Sequence, residues 1–130
     1  MNNYTRDEHR VHLIIYHLIW CTKRRKPVLI NQIKTDCEQL IKEKCEQNAW
    51  QILELSVQPE HIHLFVRVFP TTTAYAVVKE CKGIASYFLR KKFKELLKLP
   101  CLWSKSYFAS TAGNVSSETI QNYISSQSKK

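Results

Sequence analysis

The sequence contains only two glycines and four prolines in 130 residues. So few breakers exclude a low-complexity or loop-built chain and predict long elements joined by few loops. No internal repeat occurs, which excludes a solenoid or propeller. No apolar run approaches the ~20 residues of a membrane helix, so no membrane partner is expected. Residues 1–10 lack the apolar stretch of a secretory signal. No Cys-x-x-Cys pair occurs, which excludes a zinc ribbon. The five cysteines, at 21, 37, 45, 81 and 101, are odd in number. They read as small buried hydrophobes in a reducing, cytoplasmic setting, not as a disulfide framework. A Walker-type phosphate loop is absent as well.

Acidic residues are also scarce. Asp plus Glu number 11 against 20 Lys plus Arg, a formal charge of +9. With 44% hydrophobic residues the chain carries enough apolar surface for one core, and residues 1–130 read as a single domain. The positive excess favours a polyanionic partner. Lys23, Arg24, Arg25 and Lys26 form one basic cluster. A second includes Lys79, Lys82, Arg90, Lys91, Lys92, Lys94 and Lys98. Trp20, Trp103, Tyr107 and Phe108 lie in or between the basic stretches. Basic grooves with aromatic platforms suit single-stranded nucleic acid, where bases stack and phosphates pair. A solvated basic surface over core aromatics gives the same composition.

Hydrophobic patterning lays out the elements. Residues 11–23 read as a strand apolar on both faces, as a central strand would be. Residues 29–48 repeat Ile30, Ile33, Cys37, Leu40, Ile41 and Cys45 at helical spacing. Residues 50–57 and 61–69 read as strands joined by the turn Gln58-Pro59-Glu60. The second of these alternates Ile62, Leu64, Val66 and Val68 against His61, His63, Phe65 and Arg67. Pro70 and the threonines after it predict a stop and a helix cap. The following helix, to about residue 91, has an apolar face and an opposite stripe of Lys79, Lys82, Ser86 and Arg90. That stripe is placed to follow a phosphate backbone or to face water. Residues 93–98 suggest a short extra helix, and 107–111 a fourth strand. Gly113-Asn114 suggests a turn, and Ser116 caps a last helix with Ile120, Tyr123, Ile124 and Gln127. The order β-α-β-β-α-β-α predicts an α+β, ferredoxin-like βαββαβ sandwich. Two helices would pack on one face of a four-stranded antiparallel sheet, leaving His61 and His63 on the open face.

Two constellations carry chemistry. His61 and His63 lie two residues apart on a strand, so they share a face about 6.6–6.8 Å apart and could converge on one ion. Alone, the pair also fits surface or core histidines. His17 could support them or be a buried polar residue, while His9 and His12 read as ordinary surface groups. Tyr123 and Gln127, four apart on a helix, share a face and could reach one site. Alone, each also fits a packing residue or a solvated helix end.

The order of motifs is more specific than any one of them. Tyr16-His17 with Lys23, PEHIHLFV at 59–66, Lys82-Gly83, the run from Trp103 to Val115 and the YISSQ of the last helix occur in sequence. In this the chain resembles the TnpA-type single-tyrosine HUH transposases of small insertion sequences and their REP-associated relatives, over about residues 16–127. The resemblance implies an enzyme that cleaves and rejoins single-stranded DNA through a 5′-phosphotyrosine. It implies Tyr123 as nucleophile and His61, His63 and Gln127 as ligands of a divalent ion, Mg²⁺ or Mn²⁺. It also implies hairpin DNA at element ends as partner and a homodimer, in which the tyrosine helix of one subunit can sit against the HUH motif of the other. Lys23, Arg24, Arg25, Lys79, Lys82 and Arg90 are the candidate DNA contacts. The alternative is a domesticated or inactive relative that binds or processes hairpins at repeats. An RNA-binding ferredoxin-like module would require an RNP pattern that the sequence lacks. The family pattern implies a close backbone approach at Gly83, where simple tolerance of a glycine is the alternative, and Glu54 and Glu60 could tune the metal or be ordinary surface acids.

Overall fold

The structure, a computed structural model, describes residues 13–111 and 117–130. His9, His12, Gly113-Asn114 and Ser116 lie outside the described residues. The strands are β1 (Ile14–Cys21), β2 (Gln51–Val57), β3 (His61–Val68) and β4 (Phe108–Ser110). The helices are α1 (Asn31–Gln47), α2 (Ala74–Lys92) and α3 (Ser117–Ser126). Short 3-10 turns occupy Lys23–Arg25, Lys94–Lys98 and Gln127–Lys129. The sheet order is β2-β3-β1-β4, with every neighbouring pair antiparallel. This is the expected α+β, ferredoxin-like arrangement. Among the described residues no helix is long and apolar enough to cross a membrane.

Why these residues build this sheet is visible in their burial. β3 alternates strictly, with Ile62, Leu64, Val66 and Val68 buried and the residues between them partly exposed. β1 is buried on both faces from His17 to Cys21. Leu18 and Trp20 enter the main core with Leu64, Val66, Ile41, Val77, Cys81 and Leu89, which α1 and α2 cover. Ile19 and Cys21 point the other way and pack against Ile124, with Ile120, Tyr123 and Phe108 around them. The open face is therefore partly roofed by α3. β2 carries a bulge at Leu53, so Ile52 pairs with Val66 and Leu55 with Leu64. The extra residue lets both apolar side chains face the core despite their odd spacing.

Local chemistry sets the element ends. Thr73 Oγ1 accepts from Ala76 N at 3.0 Å and caps α2. β1 stops at Cys21 because Thr22 is knotted to two other segments. Its N–H donates to Glu60 O at 3.0 Å and its hydroxyl to Lys26 O at 2.7 Å, while Lys23 N donates to Leu102 O at 2.8 Å. The basic residues that follow turn sharply, with Arg24 and Arg25 at φ of 53° and 56°. β4 is shorter than the predicted 107–111, with only three residues pairing with β1. No other part of the described chain approaches Gly83 closely, because a Cβ added there meets nothing within 4 Å.

Candidate active site

The register of β1 on β3 builds the floor of the site. His17 lies opposite Phe65, Ile19 opposite His63 and Cys21 opposite His61. Cross-strand partners share a face, so both HUH histidines stand on the surface that α3 covers. His61 Nδ1 pairs with Glu60 Oε1 at 3.0 Å. This fixes the ring and leaves Nε2 as its free nitrogen. Glu60 is thus in contact with one of the two HUH histidines. Glu54 pairs in register with Phe65 and acts on His17 and His63 as a nearby negative charge.

His63 Nε2 faces His17 Nε2, with the two rings stacked at 4.1 Å and Phe65 stacked on His17 at 4.0 Å. Burial pushes the pKa of both imidazoles down, and for His63 the neighbouring His17 adds to the effect. His17 is itself buried, and its Nδ1 meets no hydrogen-bond partner among the described residues.

α3 brings the second constellation to the same face. Ile124 anchors the helix on Ile19 and Cys21, the cross-strand partners of His63 and His61. Ser106, from the segment before β4, lies 3.1 Å from the Tyr123 hydroxyl and donates to Gln127 Oε1 at 3.1 Å. Gln127 is 2% exposed, so its amide is a built part of the fold and not a solvated helix end. Burial raises the Tyr123 pKa, partly offset by the Ser106 hydrogen bond. The phenol is therefore neutral near pH 7. A groove of about 370 Å³ opens beside these groups, lined by Lys23, Lys105, Ser106, Gln127 and Lys130.

The basic residues separate into two groups. Lys23 lines the groove, and Arg25 Nη1 donates to Ser128 Oγ at 3.2 Å just beyond Gln127. Arg24 is exposed on the same turn. Lys82 and Arg90, expected along a solvent-facing stripe, turn inward instead. Lys82 Nζ donates to Ser104 O at 2.7 Å and Ser106 O at 3.3 Å, and burial lowers its pKa. Arg90 Nη1 donates to Leu99 O at 2.9 Å and Leu96 O at 3.4 Å. Of the three, Lys79 alone stays exposed, 5.8 Å from the centre of the Tyr75 ring.

Nothing in the run from Trp103 to Val115 singles out Ser106 in the sequence. Its role depends on a partner 17 residues away and another 21 away, which no local pattern discloses. Among the described residues no three His, Cys, Asp or Glu side chains gather to hold an ion. The donor set fits a divalent ion only if an amide oxygen, nucleic acid or water completes what two imidazoles begin.

Comparison with known proteins bears on the family and the fold. The family model described as "Transposase IS200 like" matches residues 10–127. The ISDra2 transposase TnpA of Deinococcus radiodurans is 31% identical over 123 residues, covering 92% of this chain and 88% of the relative. The IS200 transposase of Salmonella typhimurium is 24% identical over 115 residues, covering 86% of this chain and 75% of the relative. A crystal structure of a candidate transposase from Deinococcus radiodurans R1 superposes with a TM-score of 0.85 at 29% identity, covering 94% and 96% of the two chains. A REP-associated tyrosine transposase bound to a REP hairpin shares the fold, with a TM-score of 0.55 at 16% identity, covering 95% of this chain and 68% of that one. The protein is thus a DNA transposase, an enzyme that cleaves and rejoins DNA. The chain belongs to the family of IS200-like transposases.

Proposed function

We propose that the protein cleaves and rejoins single-stranded DNA at insertion-sequence ends, with Tyr123 as nucleophile and a 5′-phosphotyrosine as intermediate. The observation that carries this is the seating of α3. Ile124 rests on Ile19 and Cys21, the direct cross-strand partners of the HUH histidines, and this brings Tyr123 and Gln127 to that face beside a lysine-lined groove.

In this reading Lys23, Lys105 and Lys130 take the phosphate backbone, since ammonium groups neutralise it without reading sequence. The Tyr123 oxygen bonds to phosphorus as the P–O3′ bond breaks. The proton lost from the phenol balances the one gained by the departing 3′-oxygen. Attack by a second 3′-hydroxyl reverses the step and joins the strands, so the bond energy is conserved and no ATP is consumed. His61, His63 and Gln127 would hold Mg²⁺ or Mn²⁺. Such an ion would supply positive charge to offset that on the phosphodiester oxygens. Glu60 keeps the His61 ring turned for that purpose. Hairpin DNA is the favoured partner, supported by the hairpin bound to the REP-associated neighbour. The working form in this reading is a homodimer in the cytoplasm.

The test uses labelled single strands from both ends of the protein's own element, with Mg²⁺ or Mn²⁺, on a denaturing gel. A covalent protein–DNA band that needs metal and disappears in Tyr123→Phe and His61→Ala is the expected result. Tight hairpin binding with no such band would overturn the catalytic reading and leave a DNA-binding relative.

A further inference from the structure

Ser106 occupies an unusual position. Its hydroxyl has one proton and two neighbours, the Tyr123 phenol oxygen and Gln127 Oε1, each at 3.1 Å. An amide carbonyl oxygen can only accept, so the Ser106 proton goes to Gln127. The phenol must then donate to Ser106. The three groups form a directed chain, from Tyr123 O–H to Ser106 Oγ and from Ser106 O–H to Gln127 Oε1. The chain fixes the lone pairs as well as the positions of the Tyr123 side chain on α3 and the Gln127 side chain in the turn that follows it. The far side of the Gln127 amide is held too, as its Nε2 donates to Ser126 Oγ at 3.0 Å.

The segment that carries Ser106 is fixed from below. Lys82 Nζ donates to the carbonyls of Ser104 and Ser106. Trp103 Nε1 donates to Lys82 O at 3.0 Å, and Ser104 N donates to Cys21 O at 3.0 Å. Cys21, with Ile19, is a residue on which α3 rests. One lysine, one tryptophan and the end of β1 thus place a single hydroxyl at the nucleophile. Lys82 is partly buried, and its two carbonyl hydrogen bonds offset part of the cost of desolvating the ammonium.

We propose that Ser106 is a positioning residue, whose hydroxyl sets the Tyr123 oxygen and the Gln127 amide oxygen in one register for attack on the phosphodiester. The inference rests on the tyrosine reading above and adds to it the group that aims the nucleophile. Ser106 touches neither substrate nor ion in this role. It acts through the two side chains it bonds.

The test compares Ser106→Ala, Ser106→Thr and Ser106→Val in the full-length protein. Thr keeps the hydroxyl, and Val has the shape of Thr without it. Ser106 is exposed, so the added methyl groups have room. Single-turnover adduct formation at saturating hairpin DNA should fall about 10- to 100-fold in Ala and Val, the range expected for a misplaced reacting group, and stay within about threefold in Thr. Hairpin affinity should change less than about twofold in all three, since a positioning role acts on rate and not on ground-state binding. A second measurement needs no activity. In ¹⁵N spectra of the DNA-free protein, the Gln127 side-chain amide should shift in Ala and Val and hold in Thr. Wild-type rates in Ala and Val, or a Thr as slow as Val, would overturn the proposal. An unmoved Gln127 amide in Ala would do the same. If wild-type protein forms no adduct, the tyrosine reading fails and the rate claim falls with it. The amide spectra then still decide whether Ser106 orders Gln127.

Discussion

His17 and His63 meet across β1 and β3 through their Nε2 atoms, with parallel rings 4.1 Å apart. Two facing ring nitrogens share at most one proton, so this pair resists a second charge. Burial lowers both pKa values. Between the folded values and the ordinary value near 6.5, the unfolded chain binds protons that the folded chain refuses. The metal-free protein should therefore lose stability as pH falls below about 6.5, until the folded imidazoles protonate as well. Glu54 opposes the trend by favouring the charged rings, and His61 reinforces it at His63. Urea midpoints at pH 7.5 and 5.5 measure the effect. His17→Phe, which removes one of the two groups, should show the smaller drop.

Lys82 and Lys23 should separate in salt titrations of hairpin binding. A lysine on phosphate contributes about one unit to the slope of log affinity against log salt. Lys23 lines the groove beside Gln127, so Lys23→Ala should lower the slope by about one unit. Lys82 is committed to the carbonyls of Ser104 and Ser106. Lys82→Met should leave the slope unchanged, lower the melting temperature and slow adduct formation. A slope reduced equally by both variants would return Lys82 to the DNA surface.

Gly83 offers a simpler expectation. It lies inside α2, in an exposed position where an added methyl group meets nothing within 4 Å. Gly83→Ala should stabilise the protein by about 1 kcal/mol, through helix propensity and a less free unfolded chain. Thermal denaturation checks it. Stabilisation with weakened hairpin binding would show that DNA, not the chain itself, approaches this glycine.

The same residues and strands also show what the sequence could disclose. The fold was legible because β3 buries one face only, so its alternation survives in the letters. β1 was legible because burial on both faces leaves an unbroken apolar run. His61 and His63 needed only the two-residue repeat of a strand to be placed together. The inward turn of Lys82 was not legible, since its acceptors come from a segment 22 and 24 residues further along the chain. A lysine stripe bonded to carbonyls and one bathed in solvent have the same spacing. The facing of His17 and His63 depends on antiparallel register over 46 residues. That register is set by pairing, which one-dimensional periodicity does not carry.

The bulge at Leu53 gives the edge strand a tolerance its neighbours lack. Deleting a residue from the regularly paired stretch of β3 would turn every side chain beyond it to the opposite face. Leu53 is the unpaired residue between Ile52 and Glu54, and it is exposed. Its loss would restore an even ladder while Ile52 and Leu55 kept their partners. Length variation among homologous strands should therefore collect at this position, and a one-codon deletion there should still yield a folded protein.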